Sequence, residues 1–361
     1  MTLAFAADAP LSSRCRGGLG LARERTTREV RRWSLAALLA LATGFVVPAQ
    51  AQPTAPTAAT GSRTVNDWLM RMHDASRQRA YMGTLVVTAG SNMSASRIWH
   101  VCDGAQQMER VDTLTGAARS TIRRNNEVIT FVPESRTALV EKRESLGLFP
   151  DLLRTPANAI PEFYGVRETG SERVAGYLAD VVEIVPRDAL RFGYRVWSEK
   201  KTGLVVKLQT LGEQGAVLEQ VAFSELQMDA PVSMEKLSRQ MNDTKGYDVQ
   251  RPTMRKTSLE KEGWQLKLSV PGFLPMSCQT REASVASAGP SPLQCVYSDG
   301  LASVSLFVET YDAQRHGAEK TAVTGATHSI TRRIGNHWLT AMGEVPASTL
   351  SRFAQALERA R

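Results

Sequence analysis

Between residues 81 and 228 apolar and polar positions alternate in short runs, and turn residues separate the runs. The runs are Tyr81 to Thr88, Arg97 to Cys102, Gln107 to Val111, Ala118 to Arg123, Val128 to Val132, Thr137 to Val140, Phe163 to Glu168, Tyr177 to Val185, Tyr194 to Ser198, Leu204 to Thr210 and Ala216 to Leu226. Period-two alternation is the signature of a β-strand with one buried face, shown by Leu204, Val206 and Leu208 against Lys207 and Gln209. The breaks Asp103-Gly104, Asn125-Asn126 and Lys201-Thr202-Gly203 carry hairpin-turn chemistry. Spacing this close leaves no room for crossover helices, so the reading is one large antiparallel meander interrupted by a Pro-rich loop from Leu146 to Pro161.

Helical periodicity occurs at two places. Val65, Trp68 or Leu69, Met72 and Ala75 share a face over Val65 to Ala75, with Thr64 placed to cap the first turn. Leu350, Phe353, Ala354 and Leu357 share another after Pro346, a residue suited to a helix start. A sheet of about ten twisted strands curls, and its concave side must be filled by helices, a ligand or both. Residues 231–257 are polar and carry Pro231 and Pro252, which reads as a connection between domains. Beyond it Trp264 to Leu268, Leu293 to Tyr297, Ala302 to Glu309, Thr327 to Arg332 and Asn336 to Met342 predict a small antiparallel sheet with the last helix packed on it. The fold class expected is α+β, mainly antiparallel β. A half-barrel domain over residues 64–230 and a small domain over residues 258–361 make it up.

The N-terminal region changes where this fold is expected to work. Five arginines between Arg23 and Arg32 precede the apolar run Trp33 to Val47 and the small-residue ending Ala49-Gln50-Ala51. Those are the three parts of a removable secretory signal, here residues 1–51. The apolar run is shorter than the roughly 20 residues a spanning helix needs. A spacer rich in Pro, Thr and Ala follows over residues 52–63. Removing residues 1–51 takes away seven arginines and three acidic residues, lowering the formal charge from +8 to +4. A mild excess of this kind, with no basic stripe, is no nucleic-acid signature. Of the four cysteines, Cys15 leaves with the signal. In an oxidising compartment Cys278 and Cys295, close in sequence, are expected to pair, leaving Cys102 over.

The search for chemistry is mostly negative. G-x-S-x-G, H-E-x-x-H, C-x-x-C and a phosphate-cradling glycine loop are all missing. His100 and Cys102 point to one side of a strand but lack a second ligand pair, so they read as structural rather than as a metal site. Neither an enzyme nor a cofactor is indicated. Trp99, Phe131, Tyr194 and Trp197 are candidates to line an apolar lipid cavity, with packed core as the plainer alternative. Leu148 and Phe149, an apolar pair between Gly147 and Pro150, are candidates to gate it or to touch a partner. Arg332 and Arg333 at a strand end are candidates to pair with an acidic partner segment, with a solvated edge as the plainer alternative.

Gly147-Leu148-Phe149-Pro150, Arg173-Val174-Ala175-Gly176, Phe192-Gly193-Tyr194-Arg195-Val196-Trp197, Thr202-Gly203-Leu204 and Val217-Leu218-Glu219-Gln220 together resemble the RseB/MucB family in order and spacing. Tyr297-Ser298-Asp299-Gly300 and Gly343-Glu344-Val345-Pro346 are similar to its C-terminal domain. The resemblance implies a periplasmic negative regulator of the sigma-E envelope stress response. Such a protein binds the periplasmic region of a membrane anti-sigma factor of the RseA/MucA type and shields it from site-1 proteolysis. The resemblance also implies a larger domain like the LolA and LolB half-barrels, and release by lipid or lipopolysaccharide. Tyr297 and Asp299, with Arg332 and Arg333, are candidate partner contacts, although the matched motifs serve equally well as determinants of the fold. Assembly with further copies of the chain is left open. The Cys278 and Cys295 pair, with the loop between them, is this chain's own elaboration. A lipid or lipoprotein carrier built on the same half-barrel is the competing reading, and the second domain weighs against it.

Overall fold

The structure, a computed structural model, describes residues 63–104, 106–142, 159–281 and 292–360. The predicted signal and spacer, and the gating pair Leu148 and Phe149, lie outside the described residues.

The chain enters through α1 (Val65–Gln78), whose first turn is closed by a capping box. Asp67 N–H donates to the Thr64 hydroxyl, and Thr64 N–H donates to the Asp67 carboxylate at 2.9 Å. Two donors that a helix start leaves orphaned are thereby satisfied. Eleven strands follow: β1 (Tyr81–Ala89), β2 (Asn92–Asp103), β3 (Gln106–Thr113), β4 (Ser120–Arg124), β5 (Glu127–Val132), β6 (Thr137–Lys142), β7 (Tyr164–Val174), β8 (Tyr177–Pro186), β9 (Gly193–Glu199), β10 (Val205–Leu211) and β11 (Val217–Met228). A single turn of helix, α2 (Ile160–Phe163), leads into β7.

The predicted meander is in fact two. Strands β1 to β6 run outward from β1 in one direction, β7 to β11 return from the far edge, and β11 closes the sheet by pairing with β1. Strands β6 and β7 are therefore not neighbours. At the junction Gly83 has no substitute, since a Cβ there would stand 2.4 Å from the Glu225 carbonyl oxygen. The sheet is filled on both faces. Trp68, Leu69 and Met72 of α1 pack on Val182, Ile184, Val196 and Val205, and each buried side chain contributes roughly 2 kcal/mol. The residues from 231 to 257, read from the sequence as a polar connection, contain α3 (Met234–Asn242), β12 (Asp248–Gln250) and β13 (Met254–Thr257). Leu237 and Met241 of α3 cover Met108, Ile122 and Phe131. Strand β2 divides its sides accordingly, with Ile98 in the cluster that includes α1's Ala75 and Val101 in the α3 cluster.

Strand β12 adds to the large sheet beside β6, in parallel, and β13 begins a second sheet. That second sheet has seven antiparallel strands: β13, β15 (Leu274–Arg281), β16 (Leu293–Ser298), β17 (Ser303–Thr310), β18 (Lys320–Thr324), β19 (Thr327–Ile334) and β20 (His337–Gly343), in the order β13-β15-β16-β17-β20-β19-β18. Helix α4 (Ala347–Ala356) lies across it through Leu350, Phe353 and Ala354. A two-stranded ladder of β14 (Trp264–Leu266) and β21 (Leu357–Arg359) closes the end.

Cys278 and Cys295 are direct cross-strand partners on β15 and β16 and form a disulfide. Cys102 is disulfide-bonded as well. The expectation that it would be left over concerns the chain without residues 1–51, in which three of the four cysteines remain. Among the described residues no helix is long and apolar enough to cross a membrane, and no cluster of three metal-ligating side chains occurs.

Candidate functional site

The connection between β8 and β9, residues 187–192, reaches from the large sheet into the small one. Its centre is Arg191, whose side chain is wholly buried. Arg191 Nε donates to Asp299 Oδ2 at 2.8 Å, Nη2 donates to the Pro271 carbonyl at 2.8 Å, and Nη1 pairs with Asp188. The guanidinium lies over the Phe163 ring at 4.4 Å and beside Phe273 at 5.3 Å. Gly272 allows this approach, since a Cβ there would fall 2.6 Å from Arg191 Nη2. On the other side Asp299 also accepts from Tyr164 OH at 2.9 Å, from Leu301 N–H at 3.0 Å and from Ala302 N–H at 2.8 Å. A carboxylate can hold about four such bonds, so its buried charge is both paired and hydrogen-bonded. Burial, then the Tyr194 hydroxyl and the Asp299 carboxylate, push the Tyr164 phenol well above its usual range, so it stays a donor.

Two further contacts flank this pair. The Thr349 hydroxyl donates to the Leu190 carbonyl at 2.7 Å, and Phe192 packs on His328 with ring centres 5.6 Å apart. His328 in turn holds the Val345 carbonyl through Nδ1 at 2.6 Å. Farther along, the turn at Gly325 between β18 and β19 approaches Ala89 and Glu219 of the large sheet.

Above these contacts the two domains leave a cleft of about 740 Å³. One wall is the end of β8 and β9, the other is His328, Pro346 and Ala347, and the far rim is the turn Gly212 to Gly215. Val185, Pro186, Leu211 and Leu218 supply apolar surface. Glu183 stands at the wall between two arginines: it accepts from Arg195 Nε at 2.9 Å and from Arg167 Nε at 3.1 Å. The Arg167 hydrogen bond, and secondarily Arg195, hold the Glu183 carboxyl below its usual range.

The chosen aromatic residues do not converge. Phe131 packs edge-on to Tyr247 under α3, Tyr194 belongs to the cluster below α1, and Trp197 to a third cluster with Leu204 and Phe223. Tyr194 and Trp197 are an odd number of residues apart on one strand and so face opposite ways. Trp99 is half-exposed, with Arg97 and Arg110 over its ring at 5.7 and 5.5 Å. Of the partner candidates, Tyr297 and Asp299 are buried. Tyr297 packs on Phe353 in the small core and Asp299 is the buried anchor of Arg191. Arg332 is half-buried and donates to the Ala354 carbonyl at 2.8 Å. Arg333 is exposed and lies 3.9 Å over the Tyr311 ring. His100 hydrogen-bonds the Arg79 carbonyl and has a structural role.

Two domains with these contents match known proteins along nearly their whole extent. Residues 64–241 match the model of the MucB/RseB N-terminal domain, and residues 258–358 match that of the MucB/RseB C-terminal domain. The chain belongs to the MucB/RseB family. It is 30% identical to the sigma factor AlgU regulatory protein MucB of Pseudomonas aeruginosa over 307 residues, covering 83% of this chain and 92% of that one. It is 25% identical to the sigma-E factor regulatory protein RseB of Escherichia coli K12 over 293 residues, covering 80% and 89%. Among solved structures it is similar to MucB in complex with MucA(peri), with a TM-score of 0.62 and 26% identity over 82% of this chain and 99% of that one. This MucB/RseB chain is thus a regulatory binding protein of the sigma-factor system and not an enzyme.

Sequence reasoning missed the Arg191 anchor and the cleft beside it. The available signal was an arginine set between Leu190 and Phe192, where a solvated turn would not place two large apolar residues.

Proposed function

We propose that this protein works in the periplasm, where it binds the periplasmic region of a membrane anti-sigma factor and keeps it from site-1 proteolysis. The observation that carries the proposal is the likeness to MucB in complex with MucA(peri), which extends over 99% of that chain. Shielding needs no chemistry by the regulator, because a bound segment is unavailable to a protease. The small domain contributes to the partner surface, with Arg333 as its exposed cation.

Release by lipid or lipopolysaccharide completes the reading and is supported by the family resemblance. In this scheme the large domain senses the lipid, with Leu148 and Phe149 at its entrance. A lipid can release the partner only by its differential affinity for the free and bound conformations. The test is titration of the full mature chain with the purified periplasmic region of the cognate anti-sigma factor, with and without lipopolysaccharide. Saturable binding that lipopolysaccharide weakens is expected. Absence of binding rejects the regulator, and binding indifferent to lipopolysaccharide rejects the release step.

A further inference from the structure

We infer that strand β18 is an interface with a second copy of this chain, in which the two β18 strands pair antiparallel about a two-fold axis at Ala322 and join the two small sheets into one. The inference is independent of the proposed regulation. The two large sheets have four edge strands between them, and three of these are guarded. Strand β7 carries Arg167, Glu168, Glu172 and Arg173 and bulges between Glu168 and Gly170. Strand β13 carries Arg255 and Lys256, and β12 is only three residues long. Charge, bulging and shortness are how a sheet edge is kept from pairing with another chain. Strand β18, Lys-Thr-Ala-Val-Thr, pairs with β19 without a bulge and has no charge after its first residue. All five of its residues are exposed, and Val323 is 59% open to solvent.

Charge complementarity singles out a second copy as the occupant. With Ala322 on the axis, Thr321 faces the second copy's Val323 and Lys320 faces its Thr324, so no like charges meet across the new ladder. Just past Thr324 the chain turns at Gly325, where a Cβ would stand 3.0 Å from Glu219 Oε2. Burial, then the neighbouring Glu344 carboxylate, raise the Glu219 carboxyl above its usual range, against the hydrogen bond it accepts from Ala326 N–H. Among the described residues neither Lys320 nor Glu219 has an ion pair. The second copy's Lys320, set opposite Thr324, lies one residue from that turn, and its long flexible stem brings the ammonium to the two acids. The two-fold axis makes the contact twice. A five-residue edge is a small interface, so the dimer is weak, with a Kd on the order of 0.1 mM.

The test is sedimentation velocity on the full mature chain at concentrations up to roughly 1 mM. The parent is expected to pass from monomer to dimer as concentration rises. Ala322→Lys sets like charges face to face on the axis and should weaken association about fivefold or more. Lys320→Glu should weaken it as well, by meeting the acidic pair with its own sign. Leu114→Lys, which adds the same charge to an exposed turn, should associate as the parent does. The altered side chains are exposed, so unfolding midpoints should not move. Under mild oxidation Ala322→Cys should give a covalent dimer, because directly opposed residues of an antiparallel ladder stand at a Cα separation that a disulfide spans. Thr324→Cys, opposed to Lys320, should stay at the background set by the parent's native cysteines. A parent that is monomeric throughout overturns the inference. So does a dimer indifferent to Ala322→Lys, or one that Thr324→Cys cross-links as readily as Ala322→Cys. A monomeric parent whose binding of the anti-sigma factor's periplasmic region is lost in Ala322→Lys assigns the edge to that partner and overturns it too.

Discussion

Arg191 Nε stands 2.8 Å from Asp299 Oδ2, and both side chains are wholly removed from solvent although they belong to different domains. A pair of this kind contributes little net stability relative to a well-packed apolar pair, yet breaking it leaves an uncompensated buried charge at a cost of about 3–5 kcal/mol. Arg191→Met is expected to lower unfolding stability by about that amount. Arg191→Lys should recover little, because one ammonium cannot reach Asp299, Asp188 and the Pro271 carbonyl in the planar geometry the guanidinium uses. Urea denaturation measures both. A lysine variant within about 1 kcal/mol of the parent would show that charge alone, and not the fork, holds the domains.

The disulfide between Cys278 and Cys295 closes 17 residues of chain. In the chain-entropy account a loop of that length is worth about 3 kcal/mol, through constraint of the unfolded state. Replacing both cysteines by serine should lower stability by about that much and leave partner binding unchanged, since the bond sits on β15 and β16, away from the cleft. Thiol alkylation without reductant is expected to leave both residues unmodified. Modification of either would show that the bond does not form.

What was legible in the sequence followed from side-chain periodicity. The face of α1, the hairpins of the large sheet and the helix after Pro346 emerged because burial imposed a period on Trp68, Leu69 and Met72, on Leu204 to Leu208, and on Leu350, Phe353 and Leu357. Strand β18 was invisible because every residue of Lys320–Thr324 is exposed, leaving no alternation to read. Strand β15 mixes polar and apolar residues without strict alternation, and β12 and β13 are short edge strands of four residues or fewer. Pairing between β1 and β11 joins residues about 140 apart, and no local pattern encodes it. The same holds for the cleft. Arg191 and Asp299 meet because two domains dock, and each read alone resembles an ordinary turn residue.

Helix α1 owes its position to packing more than to its cap. Thr64→Ala removes one side of the capping box and should cost about 1 kcal/mol. Trp68→Ala empties the space of a fully buried indole beneath β8 to β10 and should cost about 3–5 kcal/mol. The ratio is the informative quantity, and denaturant midpoints at unchanged slope give it. Equal losses from the two variants would mean that the helix start, and not the tryptophan, secures α1 to the sheet.

His100 predicts a pH dependence that partner binding does not. Its imidazole is 1% exposed, its Nδ1 lies 2.7 Å from the Arg79 carbonyl, and its ring stacks on Tyr81 at 4.8 Å. Burial is the largest influence and lowers its pKa from 6.5; Arg123 and Arg77 act in the same sense, against Glu109 and the Arg79 carbonyl. A histidine with a lowered folded pKa is held neutral, so the unfolded chain takes up its proton first as the pH falls. Its contribution is therefore fully present above pH 6.5 and is lost as the pH drops from there toward the folded value, with a slope of at most about 1.4 kcal/mol per pH unit. His100→Asn keeps a short amide donor for the Arg79 carbonyl and cannot titrate. It should be less stable than the parent at pH 8 and lose less on acidification, so the two stability curves converge below pH 6.5. Curves that stay parallel across that range would remove His100 as the source of the acid sensitivity.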